Sequence, residues 1–149
     1  MRAQEGRVQR RRPLRLETAW IDASILLQSE YLSLQAVRPG AAAYRSHGYS
    51  LSGSWLLTGE SRDNKMAAII ANPVPRHGWG AVEVAVRYAS LDLNDGMVMG
   101  GREQDWTVGL NGYLGVHFKL QANYIRVFSE RGNLPLDPVI YAVRAQLAL

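Results

Sequence analysis

Polar and apolar residues alternate with a period of two in long runs, from near the N-terminus to the last residue. In an extended chain successive side chains point to opposite faces, so such runs specify strands with one apolar and one polar face. They leave little room for helices, whose apolar residues recur every three to four positions. The pattern predicts about seven strands: Leu14 to Ile21, Ile25 to Val37, Tyr49 to Glu60, Gly80 to Leu93, Gln104 to Leu114, Val116 to Phe128 and Pro138 to Leu149. Most run to about ten residues or more, against roughly five to six for a usual strand. About ten residues is what a tilted strand needs to cross a lipid bilayer.

Hydrophobic residues make up 47% of the 149. The longest uncharged, apolar-leaning stretch, Met66 to Pro75, contains Asn72 and two prolines. It falls well short of the roughly 20 residues of a membrane helix. A membrane barrel survives this test, because its alternating strands average to middling hydropathy. Seventeen Lys and Arg against 13 Asp and Glu leave a net charge of +4, which suits anionic partners in general. Cysteine is absent, which excludes disulfides, thiolate metal sites and thiol chemistry and fits a route through an oxidising periplasm. The opening MRAQEGRVQRRRPLR is basic but has no apolar run behind it, so it is not a secretory signal. No aromatic ring is interleaved with its arginines, which argues against a nucleic-acid arm. Residues 1–13 read as a basic, disordered segment and residues 14–149 as one β-domain.

The connections differ in character. Asp22 to Ser24 and the Gly115 region read as tight turns, whereas RPGAAAYRSHG, LNDGMVMGGRE and ERGNLPLDP read as long loops. Short turns on one side and long loops on the other is the asymmetry of an outer-membrane barrel. Ser61 to Trp79 breaks it, being long where parity predicts a short turn; it is a candidate to tuck inward, carrying Arg62, Lys65 and Arg76.

The faces sort cleanly. Val82, Val84, Val86 and Tyr88 oppose Glu83, Ala85, Arg87 and Ala89, and the later strands repeat the division. A soluble β-sandwich would alternate in the same way. The aromatic residues separate the two: with consecutive strands antiparallel, Tyr31, Tyr49, Tyr88, Trp106, Tyr124 and Tyr141 fall near the long-loop end on the apolar face. Rings gathered at one height form half of an aromatic girdle. Trp20 and Phe118 fall near the opposite rim.

Signatures of catalysis are missing. His47, His77 and His117 lack ligand-like spacing, no GxSxG, P-loop or GxGxxG occurs, and GMVMGG is not followed by a helix. The expectation is a protein that is not an enzyme and uses no cofactor or metal.

The stretches GYSLSGSWLLTGESR, GWGAVEVAVRYASLDLND, GGREQDWTVGLNGYLGVHFKLQANYIRV and YAVRAQLAL resemble the C-terminal half of the phosphate-selective porin O/P family. LTGESR, RYASLDLND and WTVGLNGYL carry most of the specificity, and LETAWIDASILLQSEYLSL adds a weaker match. The resemblance implies an antiparallel, up-and-down membrane β-barrel of about sixteen strands. It also implies a homotrimer in the bacterial outer membrane, in contact with its lipid, that passes anions and above all phosphate. Members usually end in Phe where Leu149 stands here. The N-terminal half, with signal peptide, first strands and constriction loop, has no counterpart, so an incomplete barrel fragment is expected.

On that reading the polar-face cations Arg15, Arg87, Lys119 and Arg144 line the anion pathway. Arginine offers phosphate a planar fork of donors and lysine a compact charge, and basic walls are the usual way to build an anion pore. The alternative at each position is an ordinary wall residue paired with Glu17, Glu83 or Asp105. The alternative for the whole chain is a small β-domain, without transport activity, that self-associates through its sheet edges.

Overall fold

The computed structural model describes residues 11–37, 40, 42–62, 73–131 and 134–147. Its elements are β1 (Arg11–Asp22), β2 (Ile25–Ala36), β3 (Tyr44–Leu56), β4 (Ala81–Asp95), β5 (Val98–Leu114), β6 (Phe118–Arg131), β7 (Leu134–Leu136) and β8 (Val139–Leu147). Strands β1 to β6 each pair antiparallel with the next, and β6 continues to both β7 and β8. This is the expected all-β, up-and-down architecture. Among the described residues the sheet stays open, since β1 pairs only with β2 and β8 only with β6.

All seven expected strands are present, with changed limits. β1 begins at Arg11 rather than Leu14; Pro13 sits in it without harm, because an edge strand tolerates a missing N–H donor. β3 starts at Tyr44 and stops at Leu56, not at Glu60. The expected loop LNDGMVMGGRE is a correction: β4 and β5 run on into a hairpin closed at Gly96, whose φ of 57° suits glycine. Cross-strand contacts hold that hairpin. Arg102 donates to Asp92 at 2.7 Å, the Gly101 N–H donates to Asn94 Oδ1 at 2.9 Å, and a bulge falls between Asp92 and Asn94. Likewise ERGNLPLDP contains β7, which pairs with the end of β6.

Register decides the faces, because residues opposed across a ladder point the same way. Trp55, Val84, Leu110, Ala122 and Val143 form one row on the apolar face, and Gly53, Val86, Val108, Tyr124 and Tyr141 the next. Among the described residues no layer covers this face: Leu51 is 58% exposed, Trp106 50% and Val143 77%. The sheet instead curls toward its polar face. Its few fully enclosed apolar side chains, Leu56, Ala81 and Tyr113, lie at the foot of the concave side, near the short turns. Gly80 admits the chain there: a Cβ at that position would overlap the Tyr113 carbonyl, and its φ is 119°.

Candidate functional site

The concave polar face encloses a hollow of about 350 Å³ bordered by Gln28, Ser52, Arg62, Glu83, Arg87, Thr107, Lys119 and Asn123. At its foot the chain leaving β3 turns back across the sheet. The Leu57 N–H donates to the Val82 carbonyl at 2.8 Å and the Arg62 N–H to the Ala23 carbonyl at 3.0 Å. This carries the Arg62 side chain onto the polar face, where it is buried, pairs with Glu83 and donates to Ser54 Oγ at 2.9 Å. Glu83 also accepts from Tyr113 Oη at 2.5 Å and Asn111 Nδ2 at 3.1 Å, while Gln121 Nε2 donates to Asn111 Oδ1 at 3.0 Å. A buried carboxylate with three donors is well satisfied. Arg62 Nε, by contrast, has no hydrogen-bond partner among the described residues.

The four wall cations divide into two kinds. Arg15 pairs with Glu17 and, through Nε at 2.9 Å, with Glu30; Arg87 lies 3.7 Å from Asp105. Lys119 and Arg144 make no ion pair among the described residues. Lys119 Nζ sits 4.9 Å from the centre of the Tyr113 ring, and Arg144 is opposite Gln121. Since Lys119 is opposite Gln146, the two cations are diagonal neighbours on one face.

Of the candidate inward turn, Arg62 reaches the polar face. Arg76 stays exposed, donating from Nη1 to the Gly59 carbonyl at 3.4 Å. Lys65 lies outside the described residues. What organises the turn is Glu60, which spacing gave no reason to single out. Its buried carboxylate accepts from Thr58 Oγ1 and from the Arg76 N–H at 3.2 Å, with His77 Nδ1 3.6 Å away. Burial pushes its pKa up, but the hydrogen bonds from Thr58 and the Arg76 amide, with His77 close by, outweigh that and hold it below the ordinary 4.5.

The six aromatics all lie on the apolar face and form neighbouring pairs. Tyr31 is opposite Tyr49, Tyr88 opposite Trp106 with ring centres 4.8 Å apart, and Tyr124 opposite Tyr141 at 5.4 Å. Tyr49 and Tyr88 are 5.9 Å apart and bridge the first two pairs. In register the band is diagonal: Tyr49 faces Ser90, two residues past Tyr88, and Trp106 faces Arg126, two past Tyr124. The band therefore descends about one residue per strand. With a rise of about 3.3 Å and a strand spacing of about 4.8 Å, a line at constant height crosses the strands this way when they tilt by about 35°. Barrel strands tilt by roughly 35–45°. At the other rim Trp20 and Trp55 step down at the same rate. Trp55 was missed from sequence, although it follows Tyr49 at even spacing on the same face, as Tyr124 follows Phe118.

His47, His77 and His117 do not come together, and among the described residues no His, Asp and Glu group is arranged to hold a metal. The chain matches the family model for phosphate-selective porin O and P over residues 2–149. No curated protein matched it.

Proposed function

The chain belongs to the phosphate-selective porin O and P family, and on that premise we propose that it forms part of a bacterial outer-membrane wall through which anions, phosphate among them, diffuse passively. The apolar face meets lipid, the concave polar face meets water, and the band of six aromatics marks the headgroup level on the long-loop side. The observation that carries this reading is the sorting of the faces. Large apolar side chains stand uncovered on the convex side, whereas Arg62, Glu83, Asn111 and Tyr113 are buried on the concave one. A soluble domain places its apolar face in a covered core instead.

Within that wall, Lys119 and Arg144 supply the attraction for anions. Arg15, Arg62 and Arg87 each have a carboxylate beside them that cancels most of their field at the distance of a passing ion. Lys119 and Arg144 are close, like-charged and in no ion pair among the described residues, so a multiply charged oxyanion between them relieves their repulsion. In the assembled outer-membrane protein the subunits trimerise.

The test is the reversal potential of the outer-membrane protein in a planar bilayer under a salt gradient. Anion-selective current that millimolar phosphate reduces supports the proposal; cation-selective current overturns it. Joint replacement K119Q and R144Q is expected to lower the anion-to-cation permeability ratio severalfold, while R15Q changes it by less than about twofold, as expected of a cation already paired. Equal effects from both would return Lys119 and Arg144 to the status of ordinary wall residues.

A further inference from the structure

A cation on the apolar face is out of place unless something outside the sheet answers its charge. Arg126 is such a cation: it is opposite Trp106 on β5 and Val139 on β8, on the face that carries Tyr124 and Phe128. Its guanidinium lies 5.3 Å from the centre of the Phe128 ring, and it makes no ion pair among the described residues. The other arginine of this face on β5, Arg102, is held by Asp92 at 2.7 Å. Arg126 is also level with the aromatic band. It is one step past Tyr124 toward the long-loop edge and directly beside Trp106, which is half exposed.

We propose that Arg126, with Trp106 and Phe128, forms an outward-facing site for the phosphate of an anionic lipid headgroup. The inference rests on the porin reading, which turns this face to lipid. Belt rings sit at the headgroup level, so the guanidinium stands where lipid phosphates are. Its planar fork of donors matches two phosphate oxygens. Trp106 lies beside the fork and Phe128 one step nearer the long-loop edge, where they hold it by a cation–π contact and by excluding water. Glu130 and Asp137 border the adjoining hollow nearer the long-loop edge, beside Arg102. They leave the belt level to Arg126 and favour a headgroup approaching from the membrane side.

The test uses the outer-membrane protein reconstituted in phosphatidylcholine nanodiscs doped with phosphatidylglycerol or with lipid A. Anionic lipid retained per protein is counted by native mass spectrometry. R126Q is expected to reduce retention about fivefold, the size of one cation at a lipid surface. R126K should keep most of it, and R102Q should change it by less than about twofold, because Arg102 is already paired. Retention unaffected by R126Q overturns the site. So does release of the lipid by free inorganic phosphate at millimolar concentration, which would make this a soluble-anion site. Loss of an oligomer in R126Q with lipid retention intact overturns it in favour of a second copy as the occupant. Failure of the chain to enter the bilayer defeats the porin reading and this inference with it, whereas insertion with unaltered retention defeats only the inference.

Discussion

Glu83 shows how one buried group sets the character of the polar face. It holds Arg62, Tyr113 and Asn111 together at the foot of the hollow. Removing one partner of a buried ion pair leaves the other charge without compensation, which costs about 3–5 kcal/mol. E83A is therefore expected to lower unfolding free energy by about that amount, measured by urea unfolding in detergent micelles or vesicles. Replacing both members by apolar residues of similar size should recover most of the loss. Recovery would also show that the pair specifies the path of the turn more than it stabilises the sheet. The same reasoning separates the wall cations, because a neighbouring carboxylate decides whether an arginine is structural or available to a solute.

The connection from β3 to β4 is the element whose behaviour depends most on one titration. Glu60 has its folded pKa held below the ordinary 4.5. A depressed carboxylate contributes stability above its unfolded pKa and loses it as pH falls through the folded one. The turn is thus fully braced at neutral pH and loosens only in acid, below about pH 4.5. The Arg76 amide, which donates to Glu60 at 3.2 Å, reports this directly. Its hydrogen-exchange protection, corrected for the intrinsic rate, is expected to fall in that acid range. In E60Q protection should be lower throughout and no longer follow pH. Persistence of the acid step in E60Q would assign it to another group. By contrast the β4–β5 hairpin, braced by Asp92, Asn94 and Arg102, has its turn set by Gly96 and should be unchanged in E60Q.

At the scale of the whole molecule, the sheet inverts the arrangement of a soluble β-domain, with its polar side chains packed and its apolar ones bare. Such a surface is stable only against lipid or detergent. Val86, between the aromatic bands and opposite Gly53 and Val108, tests which. V86R is expected to destabilise the inserted protein by about 1–2 kcal/mol, as charge between the interface and the midplane of a barrel's lipid face does. Urea unfolding from lipid vesicles measures it. A change below about 0.5 kcal/mol would mean that this face meets water.

Alternation determined where seven of the strands lie, apart from their limits, and the membership of each face, because a period of two leaves each side chain only one of two directions. Val84, Val86 and Val108 needed nothing further. The even spacing from Tyr49 to Trp55 also held the second aromatic band, unread. What lies off the pattern had to wait for the tertiary structure. Arg62 and Glu60 sit in a connection with no period, so their burial depends on how the chain crosses the foot of the sheet. The DG pair at Asp95 and Gly96 lies in a stretch that reads as a loop, though it closes a hairpin. The pairing of Arg15 and Arg87, and its absence among the described residues at Lys119, Arg144 and Arg126, depends on strand register. A shift of two residues would preserve every face and yet exchange every partner, so alternation could reveal which cations share a wall but not which of them are neutralised.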